Sequence, residues 1–421
     1  MAARCDRWAG SAPVKPKLFS TLQGYTTRDF LRDTLAGITV ALVALPLSIA
    51  IAIGSGAPPA AGLATAIVGG LLISLLGGSR VQIGGPTGAF IVLVYAVIEQ
   101  HGFDGLVLAT LMAGAILAIA GPLGLGRLVE LVPEPVIDGF TIGIAIVIAT
   151  GQIKDLLGFS GPPLPADFIP KIEALWAMRG SFVPAAALGG ATAIALIAAA
   201  RRFAPKFPGG LLAITVVSVA GYLMALPVQT VASAYGALPH GLPLPHLPAL
   251  DPARLLQLLP AAASIAFLAG IESLLSAKVA DRMVGGQYRP RAELFAQGIA
   301  NLGAGLFGGL PATGAIARTA TNVRAGGRTP VAGLVHALVI WLLLAFFAGT
   351  AGRMAMPALA ALLLVTAWFM AEPERWGVRL QLPRSEFALL LITAALTVLV
   401  DLTVAILGGT AIGLMLKRWR R

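Results

Sequence analysis

Charge is scarce in this sequence. Of its 421 residues, 12% are Asp, Glu, Lys or Arg, while 57% are hydrophobic. A soluble domain cannot hide that much apolar surface, so soluble classes are excluded. Cysteine is nearly absent, and Cys5 alone can form no internal disulfide. The 19 acidic residues are outnumbered by 30 basic ones, giving a net charge of +11. Basic loops orient membrane helices, so this excess points to no nucleic-acid partner. The apolar runs are continuous rather than alternating, which excludes a transmembrane β-barrel. The first twenty residues hold no apolar stretch, so no cleavable signal peptide is expected. There is no nucleotide loop, no metal-ligand cluster and no Ser/His/Asp set that placement supports. The chain is therefore expected to be no enzyme and no primary pump, and to use no cofactor or metal.

What remains is an all-α polytopic membrane protein, with a mean hydropathy of +0.87. Apolar segments fall at about 34–53, 58–77, 86–98, 104–121, 133–152, 182–200, 210–226, 255–277, 292–307, 313–323, 330–349, 355–371, 385–398 and 399–416. That is about fourteen, and 86–98 and 313–323 are too short for a bilayer that needs ~20 residues. If the N-terminus is cytoplasmic and every segment reverses the chain, only Lys154, Lys171, Arg179, Arg254 and Arg353 lie outside. Arg318 lies in the membrane, and the remaining 24 of the 30 basic residues face the cytoplasm (30 − 5 − 1 = 24). The bias predicts an inner-membrane protein with both termini cytoplasmic. The domain reading is a cytoplasmic segment 1–32, a first half 33–226, an extracytoplasmic linker 227–254 and a second half 255–417. An amphipathic piece is expected around Ile169–Met178 in the outer loop 153–181. The linker, with "LPHGLPLPHLPALDP", is proline-rich and irregular. His240 and His246 lie in it without a carboxylate or thiol cluster, so they read as solvated rather than metal-binding.

The two short segments begin alike, "GGPTGAF" at 84–90 and "GGLPATGAI" at 308–316. Thr87-Gly88-Ala89 matches Thr313-Gly314-Ala315 at an offset of 226, and "ALPLS" at 44–48 lies against "AGIES" at 269–273 at an offset of 225. A shared register predicts an internal repeat. Seven spans per half make it an inverted one, as in secondary transporters. Each short segment then reads as a half-helix preceded by extended chain. Pro86 and Pro311 suit a helix start, and Thr87 and Thr313 can cap its first turn. Such backbone is tolerated at this depth only where protein or a water-filled cavity covers it. By the topology above, the two half-helix N-termini point at each other near the midplane. Two partial positive charges with free N–H groups make an anion site, and Arg318 adds a full charge. The alternative for Arg318 is snorkelling to the inner headgroups.

These residues carry a family resemblance. "ALPLSIAIAIGSGAPPAAGLATA" at 44–66 and "GGLPATGAIARTATNVRAGGRTPVAG" at 308–333 resemble the SulP (sulfate permease) anion transporters, a likeness that extends over about 25–417. The resemblance implies a 7+7 inverted repeat, with a core domain of segments 1–4 and 8–11 and a gate domain of segments 5–7 and 12–14. It further implies an elevator-like movement and a homodimer in the lipid bilayer. It implies a substrate between the half-helices, at Thr87, Gly88, Ala89, Phe90, Thr313, Gly314, Ala315 and Arg318. It also implies that Glu272 and Ser276 hold a coupling ion. Leu47, where the family often has a polar residue, and Ala64, where it often has tyrosine, are departures that bear on substrate identity. SulP proteins usually continue into a STAS domain, and this sequence stops at "LKRWRR".

Glu272 is the least expected residue, a lone carboxylate in "AAASIAFLAGIESLLSAKVAD". It can carry a proton, or it can pair with Arg318 and tie the eighth and tenth segments together. Ser273 and Ser276 with backbone carbonyls leave Na⁺ open as the coupling ion. Asp281, Asp401 and Glu134 lie near segment ends and read as solvated. Phe90 can shape the pocket or simply pack, and Gln82 can line the inner approach. The functional expectation is secondary transport of a small anion such as sulfate, bicarbonate or a dicarboxylate like fumarate, by proton symport. The rivals are a nucleobase permease of the same architecture, an anion channel, and a sensor or motor that binds anions without moving them.

Overall fold

The computed structural model describes residues 14–126, 132–204, 207–400 and 402–419. Cys5, Arg127, Lys206 and Asp401 lie outside the described residues, so the reading of Asp401 as solvated is not addressed. Helix dominates for a physical reason. In hydrocarbon a backbone must satisfy its own N–H and C=O groups, and an α-helix does so within one segment. In chain order the main helices are α1 (Thr27–Gly54), α2 (Pro59–Leu76), α3 (Gly88–Leu123) and α4 (Glu134–Leu157). They continue with α5 (Pro184–Phe203), α6 (Gly209–Leu223), α7 (Pro252–Val284), α8 (Pro290–Leu306) and α9 (Ile316–Arg324). The last are α10 (Val331–Gly352), α11 (Met356–Met370), α12 (Arg384–Leu399) and α13 (Leu402–Trp419). Eight helices among the described residues are long and apolar enough to cross a membrane.

Each segment expected from the sequence has its helix, once α3 is divided where Gly102 takes a left-handed φ of +71°. The first arm of α3 and the nine-residue α9 are the two short pieces. The first helix begins at Thr27, earlier than the apolar stretch suggests. The Thr26 hydroxyl accepts from the Asp29 N–H while the Asp29 carboxylate accepts from the Thr26 N–H, a capping box that extends the helix into polar sequence. The amphipathic outer-loop piece is a helix over Phe168–Ala177. The linker is irregular as expected, except for one helical turn at Val231–Tyr235.

The helices pack in two groups. In one, α8 and α7 lie along α3, α10 lies along α1, and α2 packs on α8 and α10. In the other, α12 lies along α4, α6 and α11 pack on α5, and α13 closes on α12 and α4. Small residues set the approach. A Cβ at Gly298 of α8 would overlap the backbone nitrogen of Ala118 in α3, and one at Gly139 of α4 would overlap the carbonyl of Leu390 in α12. Membrane helices lacking a hydrophobic drive toward one another gain from such close backbone contact. Buried carboxyl groups hold the turns of the first group. Asp33 accepts from the backbone N–H groups of Arg328 and Thr329 and from the Tyr25 hydroxyl. Glu293 accepts from the Gly78 N–H and the Gln297 side chain.

The groups also meet at the end that carries the loop between α4 and α5. The loop between α4 and α5 reaches across to the first arm of α3. Tyr95 donates to the Leu164 carbonyl, and Glu99 accepts from the Ala166 N–H at 3.1 Å. Lys171 lies 5.6 Å from the Tyr95 ring and donates to the Ala166 carbonyl at 3.1 Å. Burial holds the Lys171 ammonium below the ordinary lysine range.

Candidate functional site

Two stretches of extended backbone cross in the middle of the first helix group. They form a two-stranded antiparallel pair, β1 (Gly84–Gly85) with β2 (Thr313–Gly314), in the register Gly84 to Gly314 and Gly85 to Thr313. Continued by one residue, that register sets Pro86 opposite Ala312, two positions that are themselves one repeat apart (312 − 86 = 226). That is the register a local two-fold relating the halves would give.

Side chains from remote helices satisfy the backbone that helix geometry would otherwise satisfy. On the second stretch, Thr65 of α2 bonds both the N–H and the carbonyl of Leu310. Asn301 of α8 does the same for Ala312 at 2.9 Å each, and the Ser273 hydroxyl of α7 accepts from the Gly314 N–H at 3.0 Å. The first stretch is held by α9 in return. Asn322 donates to the Val81 carbonyl, Thr319 accepts from the Ile83 N–H, and Arg318 donates to the Pro86 carbonyl at 2.9 Å. Broken backbone persists at this depth because its polar groups are paired.

Several expectations change here. Neither threonine caps a helix. Thr87 precedes the first turn of α3, but its hydroxyl donates to Glu272 Oε2 at 2.7 Å. Thr313 is buried, sharing a 2.8 Å hydrogen bond with Ser273 and donating to the Ala269 carbonyl. The residue before α9 is Ala315, with no side-chain cap, so Pro311 lies in the extended stretch rather than at a helix start. Arg318 is the third residue of α9 and only 2% exposed, so it does not snorkel. Its Nη2 donates to Pro86 and, at 3.2 Å, to the Ser48 hydroxyl of α1. Nη1 lies against the Gly85 Cα, where any side chain would collide, and among the described residues Nε and Nη1 have no hydrogen-bond partner. The Glu272–Arg318 ion pair is not formed. Among the described residues the ion pairs all join Arg375 or Arg379 to Asp138 or Glu372.

The first turn of α9 turns its short side outward. Ile316 and Ala317 are exposed while Arg318 is tucked behind them. On the facing side Gly88, Ala89 and Phe90 are buried, and Phe90 belongs to the main apolar cluster. The first N–H groups of both helices have no acceptor within their own helix. Gln82 does not line an approach. It is 4% exposed and packs on Gly314, whose lack of a side chain makes room for it. Ser276 is fully buried, one turn from Glu272, with its hydroxyl unpartnered among the described residues. Asp281 is not simply solvated, because it accepts from the Tyr288 N–H at 2.5 Å and closes the turn after α7. Glu134 is exposed in the first turn of α4, as expected. No three His, Cys, Asp or Glu side chains gather as a metal site among the described residues.

Sequence reasoning missed Ser48, Thr65, Asn301, Asn322, Asp33 and Glu293. Of these, only Ser48 carried a signal, since it matches Ser273 in the repeat register, and both serines accept from the half-helix region of the second repeat.

The sulfate permease family model matches residues 30–393. The chain belongs to the sulfate permease family. It is 42% identical over 395 residues to the putative sulfate transporter YvdB of Bacillus subtilis (strain 168), covering 94% of this chain and 74% of that protein. It is 32% identical over 397 residues to the bicarbonate transporter BicA of Picosynechococcus sp. (strain ATCC 27264 / PCC 7002 / PR-6), covering 90% and 68%. The solved transmembrane domain of a cyanobacterium BicA superposes with a TM-score of 0.81 at 29% identity, over 91% of this chain and 98% of that one. Murine Slc26a9 in the inward-facing state shares the fold, with a TM-score of 0.86 at 16% identity over 100% of this chain and 74% of that one. This is a transporter family, not an enzyme family, with the all-α polytopic fold expected above.

Proposed function

We propose that this chain is a secondary transporter of small oxyanions, which it holds between the N-termini of α3 and α9. One observation carries the reading. The antiparallel crossing sets the starts of α3 and α9 at its two ends, with the Arg318 guanidinium buried against Gly85 and Pro86 between them and, among the described residues, no carboxylate paired to it. Unpaired buried charge is costly, and a bound anion offsets that cost. Relatives named as sulfate and bicarbonate transporters support those two substrates, and a dicarboxylate such as fumarate belongs in the same test. A nucleobase permease would want carboxylates on both α7 and α9 to accept N–H groups, whereas α9 offers Arg318. Transport is proposed to proceed by movement of the α1–α3 and α7–α10 group against the other, in an inner membrane with both termini cytoplasmic. Coupling is assigned to Glu272, whose hydrogen bond from Thr87 joins it to the start of α3.

Uptake of labelled sulfate, bicarbonate and fumarate into liposomes, with and without a pH gradient, tests the reading. Saturable uptake of one anion, accelerated by the same anion inside, is expected. Uptake without that trans-stimulation would make the protein a channel, and binding without uptake a sensor.

A further inference from the structure

We propose that Met370 and Ile148 form the movable outer wall of the anion site and tune it toward compact, singly charged oxyanions. The inference rests on the anion reading above and adds its selectivity.

Gly88 opens the first turn of α3 and has no side chain to cover its N–H group. A Cβ there would come 3.3 Å from Met370 Sδ and 3.7 Å from Ile148 Cδ1. Met370 ends α11 and Ile148 is buried in α4, so both belong to the second helix group, while Gly88, Thr87 and Glu272 belong to the first. In the first turn of α3, the side of Gly88 that would carry a Cβ thus lies against a thioether and a methyl group of the second helix group. An anion bonded to the Gly88 and Ala89 N–H groups meets that wall with its far oxygens.

Such a wall discriminates in two ways. It offers no hydrogen bond, so an oxygen turned toward it gives up water without replacement. That loss is far heavier for a dianion than for a monoanion. It also limits size, though softly, because an unbranched methionine can swing aside where a branched residue cannot. Since it sits on the opposite helix group, the wall withdraws when the groups separate, and the anion then regains water.

The test is uptake of labelled bicarbonate and labelled sulfate by the full chain in liposomes. Met370→Ala is expected to raise the sulfate-to-bicarbonate ratio about tenfold, and Met370→Phe to lower it. Gly88→Ala pushes a methyl group into the gap and should weaken uptake of both anions about tenfold, as overpacking does. Adding Met370→Ala to Gly88→Ala should restore uptake to within roughly threefold of wild type. If Gly88→Ala does not fold, the two Met370 variants decide alone. An unchanged anion ratio in both Met370 variants, or the same loss from Gly88→Ala with and without Met370→Ala, overturns the proposal. Failure of the wild type to carry either anion would instead sink the anion reading on which it rests.

Discussion

Arg318 holds its charge where water does not reach it. One edge of the guanidinium is fixed by Ser48 and the Pro86 carbonyl, and its Nη1 lies against Gly85. The exposed residues of the same turn are Ile316 and Ala317, so an anion in front of α9 meets backbone and feels Arg318 through it. At a separation of about 6 Å and an effective dielectric near 20, a full charge contributes roughly 3 kcal/mol, about a hundredfold in affinity. Arg318→Gln should therefore weaken anion binding to the purified protein by about a hundredfold. Arg318→Lys, which keeps the charge, should lose no more than about tenfold. Equal loss in both would mean that the guanidinium contacts the anion directly. Glu272, bonded by the Thr87 hydroxyl, is the carboxyl group to which coupling is assigned in the proposed function. With a proton on it, a negative charge beside the anion disappears, and by the same Coulomb estimate the anion gains roughly 3 kcal/mol. Glu272→Gln should still bind and exchange anion but lose acceleration by an inward proton gradient. Full retention of that acceleration moves the proton elsewhere, and a requirement for Na⁺ in the wild type makes the carboxylate a cation ligand.

The half-helices were legible as elements because their sequence departs from its surroundings. Two Gly-Gly openings with a nearby proline and the shared Thr-Gly-Ala interrupt apolar runs that otherwise read as full spans. What holds them was not legible. Asn301, Thr65 and Ser273 come from α8, α2 and α7, and a polar side chain on an apolar helix does not say which distant carbonyl it will meet. The same blindness produced the mistaken caps. A threonine before a helix caps it by default, but here Glu272 and Ser273 compete for the two hydroxyls and win. Asn301 is the sharpest test at this scale. It bonds both backbone groups of Ala312, and Asn301→Ala would leave two buried polar groups unpaired, at about 1–3 kcal/mol each. The variant should show a lowered thermal midpoint in detergent and lose anion uptake with it. Wild-type stability would mean that the extended stretch finds other partners.

At the scale of the whole molecule, the proposed mechanism has the two helix groups separate on one side and close on the other. The loop between α4 and α5 grips α3 through Tyr95 and Glu99, at the end that the charge bias predicts to face outward. Those hydrogen bonds cannot survive a displacement of α3 along the loop, so they favour the arrangement closed at that end. At about 1 kcal/mol net for each hydrogen bond, removing both shifts the balance by about 2 kcal/mol, roughly thirtyfold in population. The double variant Tyr95→Phe with Glu99→Ala, which leaves no side-chain partner for either the Leu164 carbonyl or the Ala166 N–H, should therefore expose the site to the outside more often. Ala317 reports this, being exposed in the first turn of α9. With Cys5 replaced by alanine, a cysteine at 317 should react with an impermeant maleimide added outside. It should react many times faster in the double variant than in the parent. The same reagent should label cysteines placed in 235–248 at equal rates in both, because the charge bias predicts a linker that faces outward in either state. An unchanged rate at 317 would show that the strap does not bias the outer end. Labelling of 235–248 only from the inside would invert the topology and make the strap a cytoplasmic one.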